Sequence, residues 1–115
     1  MYKFILYNKV LKSPFDLSPL SFAQTTKNSD INVSVIDSVI QKEKKEQIYQ
    51  IGDDYSFFYK EHVGLYEVFA GKEIIITPET KDNNALAQHL INFPLALCLS
   101  QIGSIVLHAS AVIFK

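Results

Sequence analysis

Apolar and polar positions alternate along most of this chain, and one longer stretch near the end has apolar residues three and four apart. Residues 3–8 (Lys-Phe-Ile-Leu-Tyr-Asn) are dense in aromatic and branched side chains and predict a strand. Ser13-Pro14 and Ser18-Pro19 force extended or turning backbone, so little regular structure is expected between residues 12 and 20. Polar residues cluster into a loop over 21–30. Ile31, Val33 and Val35 then alternate with Asn32 and Ser34 as on a half-buried strand. Residues 42–46 (Lys-Glu-Lys-Lys-Glu) carry nearly cancelling charges and read as a solvated turn.

A meander follows. Residues 48–51 and 55–60 flank Gly52-Asp53-Asp54, which has the chemistry of a hairpin turn and assigns both carboxylates to turn formation. Residues 65–69 and 74–77 flank Ala70-Gly71-Lys72-Glu73, where Gly71 is free to take a positive φ; Pro78 ends the last strand. The helical segment is 83–102, with Leu86, Leu90, Phe93 and Leu97 along one stripe, Asp82 or Asn83 as its cap and Gly103 as its left-handed end. Pro94 removes the hydrogen bond to the Leu90 carbonyl and disfavours helical geometry at Phe93, which predicts a kink or two short helices. Beyond it, Leu95-Ala96-Leu97-Cys98-Leu99 is apolar all round and is expected to lie deep, against the sheet.

Residues 103–115 (Gly-Ser-Ile-Val-Leu-His-Ala-Ser-Ala-Val-Ile-Phe-Lys) read as a strand with both faces apolar. Ile105, Leu107, Ala109, Ala111 and Ile113 share one face; Val106, His108, Ser110, Val112 and Phe114 share the other. A strand of this kind belongs inside a layered fold. The expected class is therefore α+β: an antiparallel β-meander, one long kinked helix and a C-terminal buried strand, in a single domain spanning residues 1–115. An apolar edge left by that last strand predicts a homo-oligomer formed through it.

Composition narrows the function classes. A net charge of -1 with 20% charged residues argues against a nucleic-acid partner, and no stretch reaches the length of a membrane span. The one cysteine, Cys98, sits between Leu97 and Leu99 and reads as a buried, inert thiol in a cytoplasmic protein. Gly71-Lys72 falls short of a phosphate-binding loop because Tyr66 stands at the first Gly position and Glu73 at the Ser/Thr position. His62, His89 and His108 have no metal-ligand spacing, so no metal or other cofactor is expected for this chain. His108 and Ser110 share a strand face about 7 Å apart, too far for a direct nucleophile-to-base hydrogen bond. They either face one ligand together or serve as a satisfied core histidine beside a small packing residue.

The run Leu107-His108-Ala109-Ser110-Ala111-Val112 resembles the element that precedes the phosphate loop in proteins similar to HPr kinase/phosphorylase, including serine-kinase-like members of lasso-peptide clusters. The preceding order is similar too: a strand ending near Gly71, the Ile74-Ile75-Ile76-Thr77-Pro78 segment and a long apolar helix. The opening, with Ser13-Pro14 and Pro19, also resembles the start of such proteins. The resemblance implies ATP- and Mg²⁺-dependent phosphorylation of a serine hydroxyl by a longer protein, with His108 near the transferred phosphoryl group as its site residue. The Gly-Lys-Ser/Thr loop that would hold the nucleotide would lie downstream of Lys115. This chain is accordingly expected to be the N-terminal, non-catalytic region of such a kinase, acting on a peptide or protein substrate. The alternative is a stand-alone peptide- or protein-binding module without enzymatic activity, favoured if Tyr55, Phe57 and Tyr59 present exposed rings on the meander.

Overall fold

Period-two alternation becomes strand, and the three-and-four spacing becomes helix. The computed structural model describes residues 2–6, 8–17, 21–22, 28–36 and 49–103. The elements are β1 (Tyr2–Leu6), β2 (Lys9–Ser13), β3 (Ser21–Phe22), β4 (Ile31–Val35), β5 (Tyr49–Gln50), β6 (Tyr55–Lys60), β7 (Gly64–Phe69), β8 (Glu73–Pro78), α1 (Asn83–Asn92) and α2 (Pro94–Gln101). Among the described residues the strands form one 8-stranded sheet in the order β3-β1-β2-β4-β8-β7-β6-β5. The class is α+β. β5 to β8 form the expected antiparallel meander, whereas β4 runs parallel to β8 and β2 parallel to β4, which makes the sheet mixed.

Two segments depart from the sequence reading. Strand β1 ends at Leu6, and Asn8, with φ of 62°, turns the chain back so that Lys9 pairs with Leu6. Asparagine tolerates that left-handed geometry better than most residues. β2 therefore runs through Lys12 and Ser13, where irregular chain was expected, and Pro14 acts only after it. There the Ser13 hydroxyl accepts the Phe15 N–H at 2.9 Å, and Phe15 and Leu17 turn into the core. Ser21–Phe22, expected in a loop, pairs with β1 as β3. Asp30 fastens β2 beside β4: its N–H donates to the Val10 carbonyl at 2.8 Å, and its Oδ2 accepts the Val10 N–H at 2.8 Å. The expected C-terminal buried strand falls outside the described residues.

The long helix is divided in two. Phe93 adopts φ −123° and ψ −46°, away from helical values, and Pro94 opens α2 as its first residue, where a missing N–H costs nothing. Leu86, Leu90, Phe93 and Leu97 are all buried, as their stripe predicts, and α2 lies across β6, β7 and β8. Asp82 caps α1, its Oδ1 accepting the N–H groups of Asn84 and Ala85 at 3.0 and 3.3 Å. Tyr66 on β7 has no exposed surface and donates its hydroxyl to the Leu86 carbonyl at 2.7 Å, fixing α1 to the sheet.

Gln101 closes the assembly at the other end. Its Oε1 accepts the Gly71 N–H at 2.7 Å; its Nε2 donates to the Gly52 carbonyl at 3.3 Å, the Ser56 hydroxyl at 3.1 Å and the Val68 carbonyl at 3.2 Å. One side chain thus ties the end of α2 to the β5–β6 and β7–β8 turns. Gly71 is held at φ 66° with the Ile102 side chain directly over it, so any Cβ there strains the backbone and collides with Ile102.

Two substitutions test these fastenings by urea unfolding with an unchanged slope. Gln101→Leu leaves the Gly71 N–H without a partner and is expected to cost about 2 kcal/mol. Gly71→Ala is expected to cost at least about 1 kcal/mol from the left-handed backbone alone, and Ile102→Ala in the same chain recovers the collision part of the loss.

Candidate functional site: a cleft at the carboxyl ends of two parallel strands

Where β4 and β8 end side by side, the chain leaves them in different directions. β8 turns into α1 on the helix-bearing face, whereas β4 has to be connected to β5 at the far edge of the sheet. Parallel neighbours whose exits diverge leave a crevice beyond their carboxyl ends. Here it is a cleft of about 350 Å³ lined by Val35, Ile36, Pro78, Glu79, Thr80, Lys81, Asn83 and Leu86. The Ile36 N–H continues the β4–β8 ladder by donating to the Ile76 carbonyl at 2.9 Å, which holds one wall in place. Val35, Ile36, Pro78 and Leu86 make an apolar floor beneath a rim of Glu79, Thr80, Lys81 and Asn83.

Two polar groups of that rim, those of Glu79 and Thr80, are committed to structure. Glu79 Oε1 accepts the Tyr59 hydroxyl at 3.0 Å and the His62 N–H at 3.2 Å, and the bond to Glu79 pushes the Tyr59 phenol up to about 12. Thr80 Oγ1 accepts the Asp82 N–H at 3.1 Å, and Asp82 in turn occupies the first amides of α1. The helix start is thereby satisfied from within, and the arrangement suits an apolar or peptide side chain better than an anion.

The residues singled out from the sequence fall in several places. His108, with Ser110, lies outside the described residues. His62 occupies the β6–β7 turn at φ 67° with its side chain 89% exposed, 3.6 Å from Glu61. His89 lies half-buried on α1; burial first, then the Lys60 charge, lowers its pKa. Among the described residues, no group of three His, Cys, Asp or Glu side chains is placed to hold a metal. Asp53 and Asp54 are exposed in their turn, and the Asp54 carbonyl accepts the Ala70 N–H at 2.7 Å. The Gly71 and Lys72 amides, which a phosphate cradle would need free, donate instead to Gln101 and to the Phe69 carbonyl.

Of the three alternating aromatics on β6, Phe57 is 5% exposed while Tyr55 and Tyr59 are half-exposed. Tyr55 donates to Glu67 Oε2 at 2.7 Å, and burial together with that carboxylate raises its pKa. Sequence reasoning missed the cleft because its walls come from residues 35–36 and 78–86, joined only by the parallel pairing of β4 and β8. Among the described residues no helix is long and apolar enough to cross a membrane.

No family model, curated protein or solved structure matches this chain.

Cys98 is fully buried on α2, and burial pushes its thiol from 9.0 up to about 12. The unfolded chain therefore ionises first. The thiol's contribution to stability is complete below about pH 9 and is lost as pH climbs towards about 12, and Tyr66, raised by burial from 10.0, acts in the same direction. Urea midpoints measured from pH 8 to 10.5 are expected to hold level up to about pH 9 and then fall, and to fall less steeply in Cys98→Ala. A thiol reagent at pH 8 should label the native chain only at its opening rate.

Proposed function

We propose that this chain is the N-terminal, non-catalytic region of an HPr-kinase-like serine kinase, with ATP- and Mg²⁺-dependent phosphoryl transfer belonging to a longer protein. The observation that supports it best is the anchoring of α2. Gln101 fastens the helix end to two sheet turns, and Gly103, at φ 75°, redirects the chain, so the Leu107-His108-Ala109-Ser110 run begins just beyond a fixed point. The β7–β8 hairpin, Pro78 and the apolar helix pair precede that run in the order the resemblance requires. On this reading the sheet and helices are a scaffold, and His108 makes a polar contact near the transferred phosphoryl group. The single thiol, buried and protonated, suits a reducing cytoplasm.

The cleft favours a second reading, a peptide- or protein-binding module without enzymatic activity. Its apolar floor is open, whereas the aromatic face of β6 offers less, because Phe57 is buried and both tyrosine hydroxyls are engaged.

The two are separated by activity and by the adjoining gene sequence. The purified chain is expected to release no ADP from Mg²⁺-ATP, and the codons after 115 to encode a glycine-rich loop ending in Gly-Lys-Ser/Thr. In the longer protein, His108→Ala is expected to slow phosphorylation by roughly 10²-fold without loss of stability, as for removal of one charge-stabilising group. Mg²⁺-dependent turnover by the chain alone would overturn the non-catalytic reading. Unrelated downstream sequence, together with amide shifts at Ile36 and Leu86 on adding leucine- or phenylalanine-bearing peptides, would select the binding module.

A further inference from the structure

The rim of the cleft beyond β4 and β8 carries two opposite charges whose bonding capacity is not used up. Glu79 is fastened to β6 and the turn after it: its N–H donates to the Val63 carbonyl at 2.8 Å, and its Oε1 accepts the Tyr59 hydroxyl at 3.0 Å and the His62 N–H at 3.2 Å. Gly64 lets that turn press so close, because a Cβ there would meet the Thr77 carbonyl oxygen at 2.6 Å. Both side-chain bonds fall on Oε1. Among the described residues Oε2 has no hydrogen-bond partner, and the Lys81 ammonium, two positions on, has neither a hydrogen-bond nor an ion-pair partner. Both residues line the cleft, together with the apolar surface of Val35, Ile36, Pro78 and Leu86.

We propose that this cleft binds a free apolar α-amino acid as its zwitterion, with the ammonium on Glu79, the carboxylate on Lys81 and the side chain on the apolar floor. The inference rests on the binding-module reading, since it takes the same cleft as a ligand site, and it names the ligand. Charge selects this class. A lone anion is repelled by Glu79 and a lone cation by Lys81, whereas a ligand that carries both charges on one carbon meets an opposite charge at each. An internal residue of a peptide carries neither charge, and a chain terminus carries only one. Size agrees: about 350 Å³ lies at the low end of small-molecule sites, which run from about 300 to 1,000 Å³. Tyr59 and His62 hold the Glu79 carboxylate in place before the ligand arrives, so little side-chain freedom remains to be lost on binding. The floor discriminates by side chain, because burying apolar surface favours a branched aliphatic group over none.

Amide shifts of the ¹⁵N-labelled full chain at pH 7 test this. Leucine is expected to give saturable shifts at Ile36, Lys81 and Leu86, and glycine, which lacks the side chain, to give none. N-acetyl-leucine lacks the ammonium and leucinamide the carboxylate; each is expected to bind about fivefold more weakly than leucine, the upper range for loss of one exposed ion pair. Glu79→Gln keeps an acceptor for Tyr59 and His62, and is expected to weaken leucine by the same factor while leaving N-acetyl-leucine unchanged. Lys81→Met is expected to weaken leucine likewise and to leave leucinamide unchanged. Leucine bound no more tightly than its two blocked forms, or equally well by both variants, would overturn the two-charge site. If a leucine peptide blocked at both ends shifts these amides and free leucine does not, the binding-module reading stands and the inference falls; if neither does, both fall.

Discussion

The carboxamide of Gln101 is the point on which the rest of the structure depends. A helix packed on a sheet through leucines alone is free to slide, because apolar contact has no direction; hydrogen bonds do. Gln101 supplies both an acceptor and donors, and it meets the Gly71 amide, the Gly52 and Val68 carbonyls and the Ser56 hydroxyl together. Ser56, with no exposed surface, completes the set by accepting the Gly52 N–H and donating to the Gly52 carbonyl. At the other end Tyr66 does the same for α1 through the Leu86 carbonyl. The helix pair is thus pinned at both ends, and the leucine stripe between the pins buries without ambiguity of register.

That pinning shapes the surface available for function. With α1 fixed over the sheet and β4 running parallel to β8, the carboxyl ends of the two strands and the start of the helix stand apart, and the cleft is what lies between them. Two of its rim groups, Glu79 and Thr80, are already spent on holding the turn, since each accepts a backbone N–H. What the lining offers besides them includes the apolar surface of Val35, Ile36, Pro78 and Leu86. The chemistry implied by the resemblance would instead centre on His108, reached through the chain that leaves α2 beside Gln101.

Much of the fold was legible because its signals are local. The β6, β7 and β8 strands, the two turns, the Asp82 cap, the division at Pro94 and the burial of Cys98 each follow from the spacing or backbone preference of a few neighbouring residues. β2 was hidden by the prolines that follow it; what makes it a strand is the left-handed Asn8 and the distant Asp30, which lies 20 positions from its partner Val10. Gln101 gave no warning either, since a glutamine in the last turn of a helix reads as a solvated residue until its partners, 30 to 49 positions away, are in view.

From the residue order alone came the periodicities, the breaks and the resemblance carried by residues 107–112, because each depends on side chains within a few positions of one another. Tertiary structure decided which strands neighbour which, where two of them end together, and which polar side chains are spent on structure rather than left for a ligand. Those outcomes depend on hydrogen bonds and packing between segments far apart in the chain, whose meeting no local pattern encodes.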